Sequence, residues 1–254
     1  GASIHTFEGI RVLANSLGFN HGYASSRHSM SCSVIGEQEG AMQRDYWYTV
    51  ARCASDLDSP EKVGKRASER TIKRLGSQPI STRKSPVMFA AEVGGGLIGH
   101  FISAIKGGNL YRKSSFLLDS LGQQIFPSFI DIYEQPLLSK ALGSASYDAE
   151  GVATAERNIV SAGVLDGYVL NSYAARKLGM KSTANAGGIH NLTVKSGTLD
   201  FEGMLKEMGT GLLVTELIGQ GVNTMTGDYS RGAAGFWVEQ GKIQFPVEEV
   251  TIAG

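Results

Sequence analysis

Only two cysteines, Cys32 and Cys53, six prolines and two tryptophans occur in 254 residues. Two thiols cannot staple a disulfide scaffold, and without a C-x-x-C spacing they imply buried, inert side chains in a reducing compartment. An excess of either charge is missing as well: 24 Lys and Arg balance 24 Asp and Glu, a formal net charge of +0. That balance excludes the strong basic field of a nucleic-acid or anionic-membrane binder. Apolar runs such as Val87–Ala91 stay far below the ~20 residues of a membrane-spanning helix. No basic-then-apolar leader opens the chain. The expectation is a cytoplasmic chain with neither nucleic acid nor membrane among its partners. Histidine is sparse: His5, His21, His28, His100 and His190 include no pair at i, i+3 or i, i+4 and no H-E-x-x-H. A G-x-S-x-G elbow and a repeat of fixed period are absent too.

What is present is a core-forming apolar share of 42% with 19% charged residues, which excludes a disordered chain. Glycine stands out, with 33 residues against an ordinary ~7% of a chain. It implies many tight turns and close backbone approaches. Ser29–Ile35 alternates polar with apolar, as a half-buried strand does. Gly36–Gly40 reads as a turn and Met42–Val50 as the returning strand, with Tyr46, Trp47 and Tyr48 in sheet packing. Ser59 followed by Pro60 and Glu61 opens a helix, and Val63, Ala67, Thr71 and Leu75 give it one apolar face. Lys62, Lys65, Arg66, Arg70, Lys73 and Arg74 read as its solvated face.

Ser77–Pro86, polar and bracketed by prolines, is the one linker. It divides the chain into residues 1–80 and 84–254. Beyond it, Val87–Glu92 reads as a buried strand and Gly95–Lys106 as a helix. Further strands are expected at Asn158–Ser161, Val164–Leu170, Leu212–Ile218, Ala233–Val238 and Lys242–Val247. Short helices are expected at Ser172–Leu178 and Phe201–Met208, and a hairpin turn at Gln240-Gly241. The fold class is therefore α+β: a strand-rich, mainly antiparallel carboxy-terminal domain with short helices, preceded by the end of an α/β domain. Gly1–Ile4 shows no cap or strand build-up, and Gly254 directly follows the strand-like Glu249–Ala253, so the sequence reads as a fragment.

Three places could carry chemistry. Gly94-Gly95-Gly96-Leu97-Ile98-Gly99 matches G-x-G-x-x-G between a strand and a helix, with Asp119 20 residues past Gly99. A nucleotide-binding oxidoreductase would set a pyrophosphate on that helix and a ribose hydroxyl on Asp119. Against it, Glu92 would repel phosphate, the helix is short, and no strand–helix alternation follows. Gly219–Gly235 is a polar, glycine-interrupted loop with Asp228, Tyr229 and Arg231; an Asp–Arg pair either pins the turn or meets a ligand. His190 lies in the loop Ala186–Asn191, a place for a functional contact, while His100 reads as packed.

The stretches Gly22–Ser29 (GYASSRHS), Arg44-Asp45-Tyr46, Ser55-Asp56-Leu57 and Tyr111–Ser120 (YRKSSFLLDS) occur in that order. They are followed by Ala186–Asn191 (AGGIHN), Lys206–Gly211 (KEMGTG), Thr215-Glu216-Leu217 and Thr226–Val238 (TGDYSRGAAGFWV). Together the chain resembles the TldD/PmbA family, in its PmbA (TldE) branch, whose proteins are longer at both ends. The resemblance implies a cytoplasmic bacterial peptidase system, a heterodimer with a TldD-type catalytic subunit, with self-association of the isolated chain as the other expectation. It implies unfolded or modified peptide substrates, including microcin leader peptides and an antitoxin. The catalytic branch holds zinc with His-Glu-x-x-x-His, the Glu serving as base for a metal-bound water. On that motif this chain reads Ala91-Glu92-Val93-Gly94-Gly95-Gly96. Ala91 and Gly96 replace the histidines, so the resemblance implies no metal or cofactor here, an inert Glu92, and zinc in the partner. Peptide contacts fall to His190, Asp228, Tyr229 and Arg231. A peptide-binding module without catalysis is the remaining alternative.

Overall fold

The computed structural model describes residues 1–254. Its first part is a three-stranded antiparallel meander of long strands, β1 (Ala2–Ala14), β2 (Asn20–Gln38) and β3 (Ala41–Ala51). Pairing runs from Ala2 opposite Cys32 to Ala14 opposite Asn20, and from His28 opposite Ala51 to Gln38 opposite Ala41. β1 therefore begins where the sequence showed no strand. Its side chains are nearly all exposed, so a core-facing alternation is missing and the ladder to β2 holds it. The second turn is tighter than Gly36–Gly40: β2 runs to Gln38, and Glu39 and Gly40, both at positive φ, make a two-residue hairpin whose twist suits the strands. Tyr46 and Tyr48 face water, 54% and 47% exposed, contrary to the expected sheet packing. Cys32 and Cys53 are free and half-buried rather than buried.

Helix α1 (Pro60–Arg74) forms as its sequence dictates. The Ser59 hydroxyl accepts the Lys62 N–H, proline opens the first turn, and Val63, Ala67 and Thr71 are buried against β2 and β3. The segment after it has no regular structure but is not loose. The Gln78 N–H donates to the Pro246 carbonyl at 2.9 Å, Ile80 packs near Trp237, and the Arg83 guanidinium lies 4.7 Å from the Trp237 ring.

The second part holds two four-stranded sheets. One orders β11 (Lys242–Ala253), β10 (Ser230–Glu239), β9 (Gly211–Ile218) and β4 (Val87–Phe89), with β4 alone parallel to its neighbour. Leu212, Val214, Ala233, Trp237 and Val247 form one apolar cluster on this sheet. Leu213 and Val238 pack with Leu205 of α5 (Phe201–Met208) in another. The other sheet is small: β7 (Val164–Leu165), β6 (Arg157–Ser161), β5 (Ile132–Glu134) and β8 (Leu192–Val194). With α2 (Ala91–Ala104), α3 (Gly107–Tyr111) and α4 (Ser172–Lys177) it surrounds the main core, which includes Phe101, Ile105, Leu110, Ile132, Ile159 and Leu170. The chain is α+β with antiparallel sheets and short helices, as its pattern indicates.

Two boundaries differ in a way that matters. The strand expected over Val87–Glu92 stops at Phe89, and α2 starts at Ala91 rather than Gly95. Gly94, Gly95, Gly96 and Gly99 thus lie inside the helix, and an added Cβ at any of them would meet no atom within 4 Å. A dinucleotide fingerprint needs its first glycines in the turn before the helix, and Asp119 lies in a turn at positive φ with no strand leading to it. The nucleotide reading is overturned. Likewise the strand expected over Val164–Leu170 ends at Leu165, while β11 continues past Val247 to Ala253.

Candidate functional site

Helix α2 is seated on β9 by the Ala90 N–H, which donates to the Val214 carbonyl at 2.9 Å. Its first turn presents Glu92, where the positive end of the helix favours a carboxylate. Arg70 of α1 reaches it: Nη1 lies 3.1 Å from Glu92 Oε1, and Nε lies 3.2 Å from Asp45 Oδ1 on β3. Arg74, one turn along α1, pairs with Asp45 at 3.8 Å and with Glu216 of β9. The i, i+4 spacing puts both arginines on the inner side of α1, where their side chains are 17% and 14% exposed. The basic face is therefore split: Lys62, Lys65, Arg66 and Lys73 are exposed, whereas Arg70 and Arg74 bind the first part of the chain to the second. Beside Glu92 opens a cleft of about 550 Å³, floored by Leu213, Phe236 and Phe245 and rimmed by Arg66 and Lys73.

The residues around Glu92 do not fit a metal ion. Ala91 and Gly96 offer no ligating atom, the Glu92 carboxylate accepts from Arg70, and no three His, Cys, Asp or Glu side chains gather to hold a cation.

His190 belongs to a second, buried centre. Glu134, 2% exposed on β5, accepts three bonds on Oε1: from His190 Nδ1 at 2.9 Å, the His190 backbone N–H at 2.8 Å and Asn185 Nδ2 at 2.8 Å. Its Oε2 accepts from Arg157 Nε at 2.8 Å, and Arg157 also holds Asn185 Oδ1 and the Tyr168 carbonyl. Burial pushes the Glu134 pKa up, but the bonds from His190 and the Arg157 charge outweigh it and leave it below the ordinary 4.5. A carboxylate with a depressed folded-state pKa stabilises the fold above the unfolded value, and the contribution is lost as pH falls through the folded value. Stability should therefore decline below about pH 4.5, less steeply in a Glu134→Gln variant. Denaturant midpoints measured from pH 7 to pH 3 test this, and parallel slopes in the two proteins would refute it.

Asp228, Tyr229 and Arg231 are not joined to His190 by any hydrogen bond or ion pair, and they do not line the pocket that His190 lines. Nor do Asp228 and Arg231 pair with each other. Asp228 instead accepts from the Thr226 hydroxyl at 2.6 Å, and its carbonyl accepts the Asn223 N–H. Tyr229 packs edge-on to His100 and Phe89, with ring centroids 6.1 and 6.5 Å away. Burial, and then the Arg231 charge, lower the His100 pKa from 6.5. Tyr229 Oη, Arg231 Nε and His100 Nε2 are buried atoms without a partner in the chain. On its edge away from β10, β9 is paired with β4 only over Leu212–Val214, and Thr215–Ile218 have no strand beside them there.

Sequence reasoning passed over Asp45, Arg70, Glu134, Arg157 and Asn185. A period-two reading of Ile132 and Glu134, which share one face of β5, is the signal that would have found the buried acid.

The chain thus has two parts, the long-stranded meander with α1 and the larger α+β part joined to it. Family models for the PmbA/TldA metallopeptidases match both, the central domain over residues 2–75 and the C-terminal domain over residues 82–254. The chain belongs to the PmbA/TldA metallopeptidase family. Metalloprotease PmbA of Escherichia coli O157:H7 is 57% identical over the whole chain, which spans 56% of that protein. In Haemophilus influenzae, a PmbA homolog is 52% identical over the whole chain and 56% of its own length. A TldD homolog there is 22% identical over 89% of the chain and 51% of its own length. The chain thus spans just over half the length of the curated relatives it matches. A Bacteroides thetaiotaomicron crystal structure, described as a candidate modulator of DNA gyrase, superposes with a TM-score of 0.94 at 31% identity. The match covers all of this chain and 57% of that one. TldE of Thermococcus kodakarensis shares the fold, with a TM-score of 0.88 at 23% identity over the whole chain and 60% of its own.

Proposed function

We propose that this chain is part of the non-catalytic subunit of a two-subunit, cytoplasmic zinc metallopeptidase. It would pair with a TldD-type subunit that carries the metal and processes unfolded or modified peptides, microcin-type leaders and an antitoxin among them. One observation carries the reading: in a member of a metallopeptidase family, Glu92 stands between Ala91 and Gly96 and is neutralised by Arg70 at 3.1 Å. The existence of both PmbA and TldD homologs in one organism supports the pairing. In this reading His190, Asp228, Tyr229 and Arg231 serve the peptide at two separate places, and the buried, unpartnered Tyr229 Oη and Arg231 Nε would need a local opening to reach it.

The full-length protein, expressed with and without a TldD-type chain carrying His-Glu-x-x-x-His, tests the proposal. Zinc and peptidase activity should appear only with the partner. Stoichiometric zinc and activity in this protein alone would refute it. Glu92→Gln should leave the activity of the assembled pair unchanged. It should cost less than about 1 kcal/mol of stability, because Glu92 is 31% exposed and partly exposed pairs contribute little. A loss of turnover of a hundredfold would return Glu92 to the chemistry.

A further inference from the structure

A groove runs between the β1–β2 hairpin and the segment 136–146. Its larger part encloses about 780 Å³ and borders Ile10, Tyr23 and Ser25. A smaller pocket of about 250 Å³ shares Tyr23, Ser25 and Arg52 with it and reaches Gly187 and His190. Arg52 is the strut that holds the groove open. Its Nη1 donates to the Ser25 hydroxyl at 2.9 Å and the Ser26 carbonyl at 2.8 Å, and its Nη2 to the Leu142 carbonyl at 2.6 Å. Tyr147 braces the same junction, donating to the His21 carbonyl at 2.9 Å.

At the inner end, the chemistry of His190 is fixed from behind. A carboxylate only accepts hydrogen bonds, so Nδ1 must donate to Glu134. In the neutral imidazole this leaves Nε2 as a hydrogen-bond acceptor, and the 11% of the side chain that stays exposed lies at this pocket. The Gly187 carbonyl accepts no hydrogen bond within the chain. Across the pocket, Arg11 has no carboxylate partner, and its Nη1 is 3.4 Å from the Tyr23 hydroxyl. An acceptor on one wall faces donors on the other. A main-chain amide, with its N–H and C=O pointing in opposite directions, satisfies both walls at once.

We infer that this groove binds an extended peptide, with His190 Nε2 accepting a main-chain N–H and Arg11 and Tyr23 donating to a main-chain carbonyl. The inference deepens the proposed role in a peptidase complex and rests on that role only for its biological use. Binding itself belongs to this chain and can be measured without the partner.

The test uses the full-length protein and a fluorescein-labelled, unstructured dodecapeptide of Gly, Ser, Val and Ala. His190→Asn is the informative variant, because its side-chain amide can keep the donor to Glu134 and carries no counterpart of Nε2. It should bind the peptide about tenfold more weakly, the size of one lost hydrogen bond, with an unchanged melting temperature. Replacing single amides of the peptide by esters, position by position, should weaken wild-type binding at one position and leave the variant indifferent there. Should the variant not fold, ¹⁵N spectra of the wild-type protein decide: the His190 Nε2 resonance should move on peptide addition and not on adding a free carboxylate such as acetate. Equal affinity for wild type and variant, a still Nε2 resonance, or no binding at millimolar peptide would each overturn the inference. A chain that binds peptide yet recruits no TldD-type partner would refute the proposed function and leave this one standing.

Discussion

Arg157→Met should destabilise the protein by about 3–5 kcal/mol, the cost of removing one partner from a buried ion pair. Glu134 would stay 2% exposed, and Asn185 would lose the Arg157 bond to its Oδ1 while keeping the one from the Thr183 hydroxyl. The His190 bonds would remain, but hydrogen bonds alone cannot match a guanidinium charge at 2.8 Å in a poorly solvated site. At ~2–4 °C per kcal/mol for a domain of this size, the melting temperature should fall by about 10 °C. A companion Glu134→Gln/Arg157→Met variant removes both charges and should recover part of the loss, since an apolar or neutral pair is tolerated where a lone buried charge is not. If the double variant were as unstable as the single one, packing around the arginine stem, and not charge, would be the cause.

The fold was legible where the chain writes its own periodicity. Ser59-Pro60-Glu61 set the start of α1, the spacing of Val63, Ala67 and Thr71 set its buried face, and Gln240-Gly241 marked the β10–β11 turn. What stayed hidden has physical reasons. β5 and β8 are three residues each, so a period of two shows in a single pair of positions, such as Ile132 and Glu134, and does not stand out from the loops around it. β1 is exposed on both faces, so burial leaves no alternation to read. The glycines of α2 look like a turn because each costs about 1 kcal/mol in a helix relative to Ala, yet packing and the seat on β9 carry α2 through them. For the site, the resemblance drew attention to Glu92 within Ala91–Gly96. The arginines that answer Glu92 were not legible, because α1 offers six basic residues on its polar faces and only the tertiary arrangement decides which two turn inward.

Those two arginines meet at Asp45, and Asp45→Ala is the other substitution with a large expected effect. Asp45 is 6% exposed and is shared by Arg70 and Arg74, whose remaining partners are Glu92 on α2 and Glu216 on β9. The cluster therefore joins β3 and α1 of the first part to both elements that frame the cleft. Losing the central carboxylate leaves two mostly buried guanidinium groups close to one another and a carboxylate each, at a cost of about 3 kcal/mol. The loss should be local in its dynamics, because Val63, Ala67 and Thr71 still anchor α1 while Arg70, bridged to Glu92 of α2, loses the carboxylate that orients it. Amide exchange should accelerate at Arg70–Arg74 and at the first turn of α2, Ala91–Gly95, before it changes in the main core around Ile105 and Leu110. Conservative replacement by Asn, which can still accept from one arginine, should recover roughly half of the lost stability. Uniform acceleration across both parts would show that Asp45 supports the fold as a whole. Unchanged exchange at Ala91–Gly95 would show that Arg70 holds Glu92 without help from Asp45.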